Sequence, residues 1–346
     1  MKRLLFPFSL GFRAGIELRR IAYRHGIFKT HRLNRPVVSV GNLTVGGTGK
    51  TPLVWWIAER LLDLGWSPSV LTRGYRRRIG GMIVLPPESR KSVNPRDVGD
   101  EVALLARAIP KVPIVVNANR YRAGRLAEER FTVDVHLLDD GFQHWSLARA
   151  VDVVAMDVTE DPDQAALLPA GRFREPFSAL KRANIIVLTR TGIADPARHR
   201  EAIARVNPRA EIFHTSLALS GLIDVRDDSI HSLEELQSRR ALVFCGIGNP
   251  RAFGANLRQW GMDVIKEVAY RDHHAYGAGE LHRLEKRARA QGADILVTTE
   301  KDWMNFPAHW TPGMPVFACS VRLEVQDAAA FEKALIQGLR SVKVPA

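Results

Sequence analysis

Only two cysteines occur in 346 residues, Cys245 and Cys319, and no C-x-x-C is present. A disulfide framework and a cysteine-rich zinc site are therefore both excluded, and the usage suits a reducing cytosol. No run of about 20 apolar residues occurs, so the chain is not a multi-pass membrane protein. Internal repeats and low-complexity tracts are missing as well. Apolar residues at 46% and charged residues at 25% are ordinary globular values, which rules out wholesale disorder. The length predicts two domains of roughly 100–200 residues each.

What is present in excess is positive charge, +13 from 50 Lys and Arg against 37 Asp and Glu. It is unevenly held. Residues 1–36 carry nine Lys and Arg against Glu17 alone, a surplus of +8 that leaves +5 for the rest. A nucleic-acid partner is not expected, because the charge sits in one segment without an aromatic-basic reading motif. The apolar run Leu4 to Phe12 is too short to span a bilayer as a helix, and no cleavage site of a secretory signal follows it. From about Gly11, Arg13, Glu17, Arg20 and Arg24 recur at helical spacing, which predicts a basic amphipathic helix over the first 35 residues. Beside a Phe-rich tip, such a helix is suited to lying in a membrane interface against anionic head groups. Packing on its own domain is the competing reading.

After Pro36, short β-branched runs alternate with helical stretches: VVSV (37–40), SVLT (69–72), IVVN (114–117), VDVHLL (133–138), VDVVAM (151–156) and NIIVLT (184–189). This alternation predicts an α/β fold with a parallel sheet covered on both faces. A polar stretch at 221–240 reads as a hinge. Beyond it LVFCGIGNP, ILVTTEKD and PVFACSV predict a second, smaller α/β domain at 241–346, whose last helix has the option of packing back on the first domain at 36–220.

The strongest chemical signal is VVSVGNLTVGGTGKTP, a strand running through a glycine-rich loop into a helix. Backbone amides of such a loop cradle phosphate oxygens, and the helix N-terminus adds partial positive charge. The phosphate-binding set is Thr44, Gly46, Gly47, Thr48, Gly49, Lys50 and Thr51, with Lys50 on the outer phosphates and the Thr51 hydroxyl on magnesium. Thr44 stands where G-x-x-x-x-G-K-[ST] has its first glycine. The second signal is VDVHLLDDGFQH, which delivers Asp139 and Asp140 to the C-terminal edge of a strand, where one of them would help to hold Mg²⁺ beside a P-loop.

Other polar groups stay open on sequence alone. Asp100 and Glu101 of VGDE are either helix-start carboxylates or catalytic ones. LTRGYRRR, with Arg73, is an anion-binding patch or a solvated loop. LPAGRFREP holds Arg174 and Glu175, YRDHHAYG holds His273 and His274, and TTEKDW has no assigned role.

Taken together and in this order, the basic N-terminus, SVGNLTVGGTGKTP, LTRGY, VGDE, LLDDGFQH, LPAGRFREP, DHH and VTTEKD resemble the tetraacyldisaccharide 4′-kinase (lipid A 4′-kinase) family. Thr44 is itself how this family's loop looks. The resemblance implies a P-loop NTPase-like domain and ATP-dependent phosphorylation of the 4′-hydroxyl of tetraacyldisaccharide 1-phosphate. It also implies a monotopic or peripheral place on the cytoplasmic face of the inner membrane, and the chain is expected to act as a monomer. In such a family Asp100 pairs with a histidine of DHH as the base on the acceptor hydroxyl, His273 in preference to His274. Asp139, Asp140 and Glu175 fall on the metal side with Thr51, and Arg73 and Arg174 face phosphates. The rival readings are an ATP- or GTP-driven switch acting through a protein partner, and a soluble small-molecule kinase.

Overall fold

The apolar runs do form the strands of one sheet. The computed structural model describes residues 2–88, 93–164, 166–307 and 309–341. The strands are β1 (Val37–Asn42), β2 (Pro68–Thr72), β3 (Ile83–Leu85), β4 (Ile114–Val116), β5 (Val135–Asp139), β6 (Val151–Asp157) and β7 (Ile185–Thr189). The chain continues with β8 (Glu211–Asp224), β9 (Ile230–His231), β10 (Arg240–Cys245), β11 (Asp263–Ala269), β12 (Ile295–Thr299) and β13 (Val316–Val325). The helices are α1 (Lys2–Arg24), α2 (Lys50–Asp63), α3 (Pro95–Val98), α4 (Asp100–Ala108), α5 (Arg120–Arg130) and α6 (Ala197–Val206). They are followed by α7 (Leu233–Leu236), α8 (Pro250–Gln259), α9 (Ala278–Ala290), α10 (Glu300–Trp303) and α11 (Ala328–Ser341).

Strand order is β11-β10-β12-β13-β8-β7-β6-β1-β5-β2-β4-β3, with β9 on the edge of β8. Strands β1, β2, β5, β6 and β7 are buried along their whole length, as expected for a sheet covered on both faces. Their C-terminal ends therefore carry the polar residues that follow the apolar runs, which is where the P-loop, Asp139 and Arg73 lie.

Two units share this sheet. The first is centred on β1 and the second on β10 and β12, and each has its own apolar clusters on the two sheet faces. They are joined by the long antiparallel ladder of β8 and β13, which pairs Thr215 with Val325 and Asp224 with Phe317. The segment expected as a hinge at 221–240 contains the end of β8, all of β9 and α7, so residue 220 falls inside a strand. Because β13 returns along β8, the chain leaves the sheet beside β7 and α11 packs on the first unit. There Phe331 is fully buried against the rings of Trp56 and Phe213, at 5.0 and 5.1 Å. Burying one such side chain contributes about 2 kcal/mol.

The first helix starts before its charge spacing and ends at Arg24, short of residue 35. It begins at Lys2, not near Gly11, and takes in the Phe-rich run with Pro7 inside it. Proline forfeits one intrahelical bond there but keeps a helical φ, so the helix passes through it. Ser9 is buried against the loop 167–170, donating to the Leu167 carbonyl at 3.0 Å and accepting from Ala170 N–H at 3.1 Å. Phe6, Phe8, Leu10, Leu18 and Ile21 of the same helix are exposed. Among the described residues, no helix is long and apolar enough to cross a membrane.

Candidate active site

The loop between β1 and α2 is held from all sides. Gly49, the residue before α2, has φ 82°, and Gly46 has φ 113°, values that side chains resist. The turn leaves the N-terminal amides of α2 free of intrahelical partners, beside Lys50. Asn42, at the end of β1, donates to the Thr48 hydroxyl at 2.8 Å and accepts from Lys50 Nζ at 3.1 Å. Thr189, ending β7, donates to the Thr48 carbonyl at 3.1 Å. Arg190 donates to the Gly47 carbonyl at 2.7 Å and ion-pairs with Asp157 at the end of β6. Thr44 is buried and bridges to Phe173. Thr51 lies in the first turn of α2.

Asp139 and Asp140 occupy the neighbouring strand end and have unlike environments. Burial and the charges of Glu101 and Asp140 push Asp139 up to about 6, against a 2.9 Å hydrogen bond from Thr72. For Asp140, burial is outweighed by a two-point contact from Arg174, at 2.8 and 2.9 Å, and by Lys50 at 3.6 Å, which together hold it well below the usual carboxylate range. Asp139 is thus an under-compensated carboxylate beside a P-loop, the donor that a hard divalent cation satisfies. Among the described residues no cluster of three or more His, Cys, Asp or Glu side chains is suited to a metal.

Two expected site residues have protein partners of their own. Glu175 is buried and paired with Arg182 at 2.9 Å, with Arg182 stacked over Phe142. Arg174 binds Asp140 and Asn42. Arg73 is exposed at the end of β2, and its charge acts on Arg120 and His144. Arg120 escaped the sequence reading. It is buried at the start of α5, facing the charges of Asp139 and Asp140, and only its place just beyond β4 at the same sheet edge hinted at it. Burial and the charges of Arg120, Arg149, Arg19 and Arg73 push His144 down to about 4, so positive charge is concentrated at the turn after β5. Cys245 and Cys319 are buried thiols pushed up by that burial, and neither is a nucleophile here.

The second unit supplies the other half. After β10, Gly248 lies against the P-loop so closely that a Cβ on it would collide with the Gly47 backbone. Asn249 reaches across to Asp157 and to Thr159, both at 3.0 Å. After β11, His273 Nδ1 lies 2.7 Å from Asp100 Oδ2 at the start of α4. Burial would raise Asp100, but the His273 hydrogen bond and the charge of Lys301 outweigh it and hold the carboxyl below its usual range. His274 instead lies 2.8 Å from Glu280 and stacks on Tyr270 at 4.5 Å, inside its own unit. Asp140 and His273 both hold left-handed backbone, φ 49° and 61°, a strain of about 1–3 kcal/mol each that clusters at functional sites.

A family model described as Tetraacyldisaccharide-1-P 4′-kinase matches residues 1–340. The chain belongs to this family. The tetraacyldisaccharide 4′-kinase of Geobacter metallireducens is 38% identical over 96% of this chain and 96% of its own length. That of Geobacter sulfurreducens is also 38% identical, over 92% and 88%. Among solved structures, LpxK from Aquifex aeolicus in complex with ATP superposes with a TM-score of 0.75 at 28% identity, covering 98% of this chain and 99% of that one. Membership of a kinase family favours phosphoryl transfer to an acceptor over the switch reading of the P-loop.

Proposed function

We propose that the chain uses ATP to phosphorylate the 4′-hydroxyl of tetraacyldisaccharide 1-phosphate, a step of lipid A biosynthesis, with Asp100 and His273 as the acceptor-activating pair. The observation that carries the assignment of the base is the 2.7 Å contact between these two residues, one from each unit, next to a carboxylate-bearing P-loop. Phosphoryl transfer needs positioning and charge neutralisation more than covalent chemistry. Lys50 and the α2 amides serve the phosphates, and Arg73 and Arg120 add positive charge at the same sheet edge. A divalent magnesium ion would be held by Asp139 and Thr51 and would neutralise charge on the transferred phosphate. Asp100, oriented by His273 from the second unit, takes the proton of the acceptor hydroxyl.

In this reading the units close on substrates about the β8–β13 ladder, since Gly248, Asn249 and His273 must leave and rejoin the first unit for ligands to pass. The protein is proposed to act as a monomer. The exposed apolar residues of α1, with its basic ones, serve a peripheral or monotopic contact with the cytoplasmic face of the inner membrane. The test incubates purified protein with ATP, Mg²⁺ and tetraacyldisaccharide 1-phosphate in detergent micelles. A product one phosphate heavier is expected. Release of inorganic phosphate alone would return the switch reading. Removal of residues 1–28 should weaken sedimentation with anionic vesicles, and unchanged sedimentation would return α1 to a packing role.

A further inference from the structure

The segment TTEKDW takes no part in the chemistry described so far, yet it is among the most tightly held turns of the second unit. Asp302, 1% exposed, accepts from Gly246 N–H at 2.8 Å, from the Tyr276 hydroxyl at 2.8 Å and from the Thr299 hydroxyl at 2.6 Å. Thr299 in turn caps α10 by accepting from Asp302 N–H at 3.1 Å. With the turn fixed in this way, its neighbour Lys301 spans the junction between the units. Lys301 Nζ lies 3.7 Å from Asp100 Oδ2, 3.5 Å from Glu101 Oε1 and 3.5 Å from Asp272 Oδ1. From the same turn, Trp303 lies under the Arg107 guanidinium of α4 at 4.8 Å.

Two of these carboxylates belong to α4 of the first unit, and the third adjoins His273 on the second. One ammonium therefore stands among three like charges that have to converge for His273 to reach Asp100. It approaches Oδ2, the same oxygen of Asp100 that binds His273. In its absence, buried Asp100 and the partly exposed Glu101 and Asp272 would repel one another across the junction, with solvent screening only the latter two in part.

We propose that Lys301 is a positioning residue for the phosphoryl transfer: it brings from the second unit the charge that lets Asp100, Glu101 and Asp272 meet, and so sets His273 against Asp100. This rests on the reading of Asp100 and His273 as the acceptor-activating pair. In the full chain, Lys301→Met should lower kcat about 100-fold, the scale of a misplaced reacting group, with ATP KM within about twofold of the parent. Lys301→Arg, which keeps the charge, should stay within about tenfold of the parent kcat. Glu101→Gln combined with Lys301→Met should regain about tenfold over Lys301→Met alone, the non-additivity expected of interacting charges. A near-parent kcat for Lys301→Met overturns the proposal. So does a loss that neither arginine nor Glu101→Gln recovers, which would mark Lys301 as packing only. Should Lys301→Met not fold by itself, Arg and Met are compared at position 301 in the Glu101→Gln background, and equal kcat there overturns it too. Asp100→Ala, measured alongside, separates the two claims. Parent-like turnover in that variant removes the acceptor-activating pair itself, whereas an inactive Asp100→Ala beside an unaffected Lys301→Met removes only the role of Lys301.

Discussion

Lys50 and its partner Asn42 are eight positions apart in the chain, whereas Asp100 and His273 are 173 apart. The nucleotide end of the site is complete once β1, the loop and α2 have folded on their neighbours, with Gly49 and Gly46 allowing the turn. The proposed acceptor end needs the second unit, because its histidine, its lysine and the cover of the P-loop at Gly248 all come from there. Damage at the two ends should therefore read out differently. Nucleotide affinity belongs to the first unit, and turnover belongs to the junction.

The largest effect is expected at the junction. Asp100→Ala should lower kcat by about 10³, the middle of the range for a lost acid–base group, with little change in ATP binding. Transfer of label from γ-labelled ATP measures it, and near-native turnover would return Asp100 to a helix-start carboxylate. Gly248→Val tests how far the second unit serves the first. Its side chain would strike the Gly47 backbone, so ATP KM should rise by about tenfold, the scale of roughly 1.4 kcal/mol in binding. If ATP KM stayed the same, the close approach would have no bearing on nucleotide binding.

Glu175→Gln should act on stability and spare the chemistry. It replaces the charged partner of the partly exposed Arg182 with a neutral one, which should cost about 1–3 kcal/mol and lower the melting temperature, while the Mg²⁺ dependence of the reaction is retained. A shifted Mg²⁺ requirement without a loss of stability would restore Glu175 to the metal side. The smallest effect is in pH dependence. Since Asp100 titrates below its unfolded value, the stability it contributes is present in full above the usual carboxylate range and is lost as pH falls through its lower folded pKa. The melting temperature of Asp100→Asn should accordingly fall less steeply than that of the parent below about pH 4. Parallel curves would mean that the His273 and Lys301 contacts do not hold Asp100 down.

Much of the first unit was legible because its signals are local. The runs at 37–40, 69–72 and 151–156 became β1, β2 and β6 with ends moved by one or two residues. Strand β8 was missed, since EIFHTSLALSGLID mixes polar and apolar residues in the manner of a strand that leaves one unit and enters another. The segment 221–240, read as a hinge, begins inside that strand and continues through β9 and α7. Arg120 and Lys301 were illegible in their functional sense because an arginine or lysine at a helix start is ordinarily solvated, and only burial against carboxylates distinguishes these two. Within LPAGRFREP, Arg174 reaches Asp140 whereas Glu175 pairs with Arg182, a difference that the sequence does not show.

By itself the sequence determined the phosphate-binding loop, the acidic strand end, the α/β class and the basic N-terminal helix, all of which depend on residues within one or two turns of each other. Tertiary structure decided which histidine meets Asp100, which carboxylate stays under-compensated beside the P-loop, and where Lys301 places its charge. The physical reason is that those outcomes depend on burial and on contacts across the β8–β13 junction. Neither is a property of any one stretch of chain.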